Sequence, residues 1–285
     1  MPVLGTTAIC ALLLIGCAQS PYGNRLQYVE AGKIAITLTD APFPHSLVSE
    51  ANVTIFKIDA RLKSESETIE DESNSPFQVL FEGETKVNLL ELTNGVTKSF
   101  GETQVVGGSY DLVRVFVKDA NVELTDGRIF DLKVPSGEQT GIKIFIKPEL
   151  IVSGGLTSEL LLDFDVSQSF IAKGSTNNVS EIKGFSFKPV IKASNMSVSG
   201  SLSGKVSTSI NESEMSLEGA QLSVMAADTL NTTTFTDASG EYMVQGLRAG
   251  TYEVIAELDG YETQSTDEVN IVPGNETIQD FNLNE

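Results

Sequence analysis

Short runs of alternating apolar and polar residues are the feature that most constrains the fold of this chain. The clearest is Gly141 to Lys147, where Ile142, Ile144 and Ile146 share one face, and Lys33 to Asp40 alternates in the same way. Because successive side chains of a strand point to opposite faces of a sheet, this pattern predicts half-buried β-strands. No long segment has the 3.6-residue period of an amphipathic helix, so the chain is predicted to be all-β.

Residues 33–193 are predicted to form an antiparallel β-sandwich. Further alternating runs predict strands from about Asn52 to Leu62, Leu112 to Lys118, Leu160 to Val166 and Phe185 to Ile191. Asp126-Gly127 is a strong hairpin-turn signal between two such runs. The acid-rich stretch from Ser64 to Ser75 is typical of a solvated loop.

A change in composition marks a second domain. Residues 194–203 are rich in Ser, Gly and Asn, which is typical of a linker. Short strands and frequent turns follow over residues 204–285. The chain as a whole is therefore predicted to consist of two antiparallel β-sandwich domains in tandem.

The N-terminal residues resemble a lipoprotein signal. An apolar run from Ile9 to Ile15 is too short to cross a bilayer as a helix, and Gly16 and Cys17 follow it. We expect residues 1–16 to be a signal peptide, Cys17 to be lipidated and residues 17–32 to be a tether. The protein would then be held by a lipid anchor outside the cytoplasm, in a bacterial or archaeal cell envelope.

The cysteine count supports this expectation. Cys10 lies inside the apolar run and would be removed, which leaves Cys17 unpaired, and acylation accounts for a single cysteine in an exported protein. The alternative is an ordinary secretory signal cleaved near Ala18, because residues 1–7 carry no Lys or Arg.

Charge limits the partners of the chain. There are 39 acidic and 19 basic residues, a formal net charge of -20. Such a surface repels phosphate backbones, so nucleic-acid binding is not expected, and it attracts cations.

Catalytic signatures are weak, and the chain is predicted not to be an enzyme. His45 is the one histidine in the sequence, which excludes zinc clusters built from several histidines. Any Ser-His-Asp triad would have to use His45, and the sequence contains no G-x-S-x-G motif for the nucleophile. An exposed loop residue is the favoured interpretation of His45. Ser180 to Lys183 spells S-x-x-K but lacks the partner motifs of the enzymes that use it.

Three aspartates are a candidate cation site. Asp163 and Asp165 alternate with apolar residues of one predicted strand, so their carboxylates should project from one face, about 6.6 Å apart. With Asp40 nearby they could bind calcium, which prefers oxygen ligands. The alternative is a solvent-facing stripe on a half-buried strand. No other cofactor is expected.

The first domain resembles a known family. Seven motifs occur in order: Leu38-Thr39-Asp40-Ala41-Pro42, Val87 to Leu92, Gly108-Ser109-Tyr110 with Arg114, Val134-Pro135-Ser136-Gly137, Thr140 to Lys143, Leu161 to Asp165, and Lys188-Pro189-Val190. From about Gly32 to Ala193 the chain is similar to a domain-of-unknown-function family of bacterial and archaeal envelope lipoproteins, in which an L-T-D-A-P box follows the signal. The resemblance provides no catalytic or binding residues.

The second domain resembles the carboxypeptidase regulatory-like domain. Its pattern is T-D-x-x-G-x-Y from Thr236, then G-L-x-x-G-x-Y from Gly246, then Asp259-Gly260-Tyr261. The resemblance covers Val198 to Asn284 and implies a prealbumin-type sandwich, grouped with starch-binding-like folds, that serves as an accessory domain without catalytic residues.

These features together predict a non-catalytic, lipid-anchored cell-envelope protein that acts as a binding, structural or adhesion module. Its expected partners are the membrane, through the anchor, and a glycan or an envelope protein. One alternative is carbohydrate binding by the second domain, with Tyr242, Tyr252 and Tyr261 as its aromatic residues, although the alternation around Tyr242 and Tyr252 is typical of core positions. A lesser alternative is calcium-dependent binding at the acidic residues of the first domain.

Overall fold

The structure is a computed structural model that describes residues 30–41, 47–63, 76–135, 139–210 and 213–285. The predicted all-β class is confirmed. None of the helices in these ranges is long and apolar enough to cross a membrane. The predicted signal peptide, Cys17, His45 and the acid-rich loop from Ser64 to Ser75 lie outside the described residues.

The first domain contains strands β1 to β11. They are β1 (Gly32–Ala41), β2 (Val48–Leu62), β3 (Phe77–Asn88), β4 (Lys98–Val105), β5 (Gly108–Leu124), β6 (Ile129–Leu132), β7 (Ile142–Val152), β8 (Thr157–Asp165), β9 (Phe170–Gly174), β10 (Ile182–Phe187) and β11 (Ile191–Asn195). A four-residue helix α1 (Val166–Ser169) and 3-10 turns at Leu89–Glu91, Val179–Glu181 and Met196–Val198 complete the chain from β1 to β11.

One nine-stranded sheet forms most of this domain. Its order is β3-β2-β5-β7-β11-β8-β1-β4, with β6 paired to β5. The sheet curls so that its end strands meet: Thr103 Oγ1 donates to the Leu80 carbonyl at 2.6 Å, and the rings of Phe81 and Phe100 pack edge to face with centroids 4.9 Å apart. The curled sheet therefore encloses one apolar core, as the two layers of a sandwich do.

Within the described part of the first domain, most strand pairs are antiparallel and two are parallel. These are β1 with β8 and β7 with β11. The parallel pairing of β1 and β8 aligns Thr39 with Asp163 and Ala41 with Asp165, so the two strands end side by side. This register brings Asp40 close to the two other aspartates that the sequence singles out.

The predicted strand from Phe185 to Ile191 is wrong as a single element. Its first half is the end of β10, which pairs with β9 in a separate two-stranded sheet, and Ile191 begins β11 in the main sheet. Pro189 lies between them and has no N–H to donate to a ladder. The carbonyl of Val190 instead accepts the Asp165 N–H at 3.0 Å.

The second domain is a sandwich of two sheets. Its strands are β12 (Ser199–Ile210), β13 (Ser213–Ser216), β14 (Gln221–Ala226), β15 (Thr229–Phe235), β16 (Glu241–Arg248), β17 (Gly250–Glu257), β18 (Gln264–Ile271), β19 (Glu276–Ile278) and β20 (Phe281–Asn282). One sheet has the order β13-β12-β16 with β19 and β20 on β12, and the other has the order β15-β14-β17-β18. A second apolar core lies between them.

Regular structure occupies residues 194–203, the predicted linker. They contain the end of β11, the 3-10 turn Met196–Val198 and the start of β12. Asn195 caps the turn by accepting the Ser197 N–H at 3.0 Å, and the buried Ser199 hydroxyl donates to the Asn195 carbonyl at 2.9 Å. The connection between the domains is therefore short and hydrogen-bonded.

Candidate functional site

The two domains contact each other through β16 of the second domain. Ser194 Oγ donates to the Gly246 carbonyl at 2.9 Å. Gly246 has a φ of 73°, and a Cβ added there would lie 2.9 Å from Leu161 Cδ2. Lys192 on β11 also donates to the Asn231 carbonyl. Close backbone approach and hydrogen bonds thus join the domains on this side.

Asp165 is a helix cap. Its Oδ1 accepts the Gln168 N–H at 2.9 Å and the Ser167 hydroxyl at 2.7 Å, and its Oδ2 accepts Gln168 Nε2 at 2.6 Å. This differs from the expectation that Asp165 and Asp163 share an open strand face, because the chain turns into α1 at Val166. The sequence carries a signal for this cap that the strand prediction missed. It is the capping-box pattern of Asp165 followed three residues later by Gln168.

Asp40 is buried with only half of its carboxylate hydrogen-bonded. The side chain is 5% exposed, and its Oδ1 accepts the Val166 N–H at 3.1 Å. Its Oδ2 has no hydrogen-bond partner among the described residues. Burial, followed by the neighbouring charge of Asp163, raises the pKa of Asp40 well above its usual range.

Asp163 is half-buried beside Asp40. Burial raises the pKa of its carboxyl group to about 6, while the positive charge of Lys192 acts in the opposite direction. Within the described ranges, no three His, Cys, Asp or Glu side chains converge as metal ligands. Because both oxygens of Asp165 accept hydrogen bonds at the helix cap, Asp40 and Asp163 are the two of the three predicted aspartates that remain for a ligand.

A small cavity at the domain interface adjoins these two carboxylates. Its volume is about 20 Å³, and residues of both domains line it, including Asp40 and Asp163 from the first and Thr234 from the second. Thr234 is 1% exposed, and its hydroxyl has no hydrogen-bond partner among the described residues. A space of this size holds about one water-sized particle. We call it the interface cavity.

A larger groove, which we call the basic groove, runs along one side of the interface. Its volume is about 340 Å³, and its lining includes Lys143, Lys147, Lys192 and Arg248. None of these four cations forms an ion pair with a carboxylate in the part of the chain that the structure describes. Among the described residues of the lining, Asp163 is the one carboxylate. This is a concentration of unpaired positive charge on a chain with a net charge of -20.

The basic groove also carries apolar and hydrogen-bonding groups. Phe145 is 60% exposed, and Lys147 Nζ lies 5.8 Å from the centre of its ring. Asn231, Gln245 and Ser194 add amide and hydroxyl groups. The sequence gives no sign of this site, because docking of the second domain on the first brings its residues together.

An acidic region lies at the start of β16, whereas the basic groove lies at its end. A groove of about 370 Å³, which we call the acidic groove, is lined by Asp237, Glu241, Glu276, Asp280 and Lys205. Asp237 Oδ1 accepts the backbone N–H groups of Ser239 and Glu241 at 2.8 and 3.0 Å. Asp280 Oδ1 accepts the Lys205 N–H at 2.8 Å, and Glu276 accepts the Ser203 hydroxyl. Most of these acids therefore serve the local structure.

The tyrosines considered for sugar binding belong to the core. Tyr242 and Tyr252 are 2% and 6% exposed, as their alternation predicts. The Tyr242 hydroxyl donates to the Gln279 carbonyl at 2.5 Å and that of Tyr252 to the Arg248 carbonyl at 3.0 Å. Tyr261 is half-buried and packs against the same core. These three rings do not form an open aromatic platform.

Comparison with known families agrees with the two-domain description. Residues 201–284 match the family described as "Carboxypeptidase regulatory-like domain". Residues 31–189, more than half of the chain, match the family described as "Domain of unknown function (DUF4382)". The chain belongs to the DUF4382 family. Both resemblances stated from the sequence motifs are thereby confirmed. No curated protein matches the chain.

Solved structures with a distant likeness to the chain include Gram-positive pilins. The minor pilin GBS52 of Streptococcus agalactiae is 12% identical, with a TM-score of 0.27, over 88% of this chain and 95% of that chain. The shaft pilin SpaA of Lactobacillus rhamnosus GG is 11% identical, with a TM-score of 0.27, over 89% and 97%. The major pilin BcpA of Bacillus cereus is 11% identical, with a TM-score of 0.25, over 90% and 71%. These values are too low to transfer a function to the DUF4382 protein.

Proposed function

We propose that this DUF4382 protein is a non-catalytic, lipid-anchored cell-envelope protein that binds an anionic ligand in the basic groove. The observation that carries the proposal is a set of cations around one concave surface that form no ion pair within the described ranges, Lys143, Lys147, Lys192 and Arg248. Cations that the fold itself needs are paired, as Arg61 is with Asp111 at 2.8 Å. Cations that form no ion pair within the described chain are the ones available to an anionic ligand.

Electrostatics favours an anion at this groove for a second reason. The rest of the surface is strongly acidic, so an anionic ligand is repelled elsewhere and attracted here. Complementary charge of this kind contributes more to specificity and to the rate of association than to affinity. Binding should therefore be selective and sensitive to salt.

The ligand that the groove fits best is an acidic glycan. Amide and hydroxyl groups of Asn231, Gln245 and Ser194 lie among the cations and can hydrogen-bond to sugar hydroxyls. Phe145 offers an exposed ring at the same surface. The carbohydrate partner predicted from the sequence is thus proposed again, at the domain interface rather than on the tyrosines of the second domain.

The test is equilibrium binding of the full chain in detergent to fluorescent polygalacturonate, with neutral dextran as the comparison. Wild type should bind polygalacturonate, and binding should weaken as salt is raised, because salt screens exposed charges. Lys143→Gln/Lys147→Gln should weaken it about tenfold, the effect of losing roughly 1.4 kcal/mol. The control, Lys173→Gln/Lys183→Gln, removes the same charge from exposed positions outside the groove and should bind as wild type does.

Two results would overturn the glycan assignment. One is equal binding to dextran and polygalacturonate. The other is binding to vesicles that contain phosphatidylglycerol without binding to polygalacturonate, which would assign the groove to lipid headgroups. Equal losses in the groove variant and in the control would mean that net charge, and not the groove, controls binding.

Attachment to the membrane through Cys17 is tested separately. Cys17→Ser should move the protein from the membrane fraction to the soluble fraction, because stable attachment needs acyl chains. Cys10→Ser is the matched control, since Cys10 lies in the apolar run that would be cleaved off, and it should stay in the membrane fraction. A Cys17→Ser protein that sediments with membranes after a salt wash would contradict the anchor.

A further inference from the structure

Unpartnered buried oxygens meet at the interface between the two domains. The buried side-chain atoms without a hydrogen-bond partner in the described chain are Asp40 Oδ2, Thr234 Oγ1 and Asn94 Oδ1. Asn94 also spans the interface, because its Nδ2 donates to the Glu241 carbonyl at 3.4 Å. All three atoms are oxygens, and a buried oxygen without a donor or a cation destabilises the folded state.

Two of these oxygens belong to residues that line the interface cavity. Asp40 comes from β1 of the first domain, and Thr234 comes from β15 of the second. Asp163 from β8 lines the same cavity and adds a second carboxylate. The cavity thus has oxygen ligands from both domains, while its volume of about 20 Å³ leaves room for a single small particle.

The charges around the cavity do not balance. The positive charge of Lys192 acts on Asp163, and both oxygens of Asp165 accept hydrogen bonds from residues of α1. Lys192 donates to the Asn231 carbonyl on the basic-groove side. In their ionised forms Asp40 and Asp163 would supply two negative charges, which a divalent cation would neutralise.

We propose that the interface cavity binds one calcium ion, held by Asp40, Asp163 and Thr234, and that this ion joins the two domains. Oxygen ligands are those of a hard cation, and the absence of nitrogen and sulfur ligands among these residues disfavours zinc. Magnesium usually keeps several of its waters, and a cavity of about 20 Å³ has no room for them beside the ion. Calcium accepts irregular oxygen shells, and two carboxylates place its affinity in the weak range of extracellular modules, on the order of 10⁻⁴–10⁻³ M.

The experiment measures the melting temperature of the full chain in detergent after chelation and then in millimolar CaCl₂ or MgCl₂ at equal ionic strength. Calcium should raise the melting temperature of wild type by binding to the native state alone, and magnesium should raise it much less. Asp40→Asn, Asp163→Asn and Thr234→Val should each abolish the calcium response. Asp267→Asn removes the same charge at an exposed position and should keep it.

Thr234→Val gives a test that does not depend on a loss of stability. In chelator the variant should melt at or above the wild-type temperature, because it removes a buried hydroxyl that has no partner. In calcium it should melt below wild type. Thr236→Val is the control: Thr236 Oγ1 accepts the Ala220 N–H at 2.9 Å and donates to the Leu217 carbonyl at 2.5 Å, so this variant should be destabilised in both solutions.

Three results would overturn the proposal. Wild type without a calcium response would mean that the cavity holds water only. Equal responses to calcium and magnesium would indicate screening of the acidic surface. A calcium response that survives Thr234→Val but not Asp40→Asn would place the ion within the first domain, so that it would not join the two.

Discussion

The basic groove and the acidic groove border different ends of β16 and differ in how their charges are used. In the acidic groove, Asp237 and Asp280 accept backbone N–H groups, and these bonds hold the turns around them. In the basic groove, Lys143 and Lys147 have no carboxylate partner among the described residues. The comparison shows that charge density alone does not identify a site, whereas charge that the fold leaves unused does.

The largest loss of stability is expected from a variant that disturbs the close packing of the two domains. Gly246→Ala should lower the free energy of unfolding by about 1–3 kcal/mol more than Gly219→Ala, measured by urea denaturation. Both glycines have positive φ, 73° and 76°, so both variants carry similar backbone strain. A Cβ at Gly246 would lie 3.0 Å from Ser194 Cβ, whereas a Cβ at Gly219 meets nothing within 4 Å. Equal losses would mean that the domains do not pack as described.

A smaller effect on stability should distinguish the charged residues of the acidic groove from those of the basic groove. Asp237→Ala should cost about 1–2 kcal/mol, because it leaves the Ser239 and Glu241 N–H groups without their acceptor. Lys147→Gln should change stability by less than about 0.5 kcal/mol, as exposed charges without partners usually do. Thermal denaturation of both variants checks the contrast. A large loss in Lys147→Gln would show that this lysine has a structural role.

Much of the fold follows from the sequence, because alternation is a local property. It predicts β1, β7 and β8, and it places Tyr242 and Tyr252 in the core. It does not separate β10 from β11, where the apolar pattern continues across Pro189 while the chain changes sheets.

The candidate site is harder to predict, because it depends on contacts between distant residues. The pairing of β1 with β8 brings Asp40 and Asp163 together, and docking of the second domain adds Thr234. The sequence singles out the two aspartates but gives no reason to choose Thr234. The basic groove is not predicted either, because Lys143 and Arg248 come from different domains. The composition gives only the net negative charge of the chain and does not indicate a local positive surface.

We propose that the ligand site belongs to the interface and not to either domain alone. The most direct measurement compares polygalacturonate binding by Lys147→Gln, in the first domain, with binding by Arg248→Gln, in the second. Each should weaken binding by roughly three- to fivefold, the effect of losing one exposed charge worth about 0.6–1 kcal/mol. The double variant should bind most weakly of the three. Loss in one single variant together with wild-type binding in the other would place the site within one domain and contradict the account.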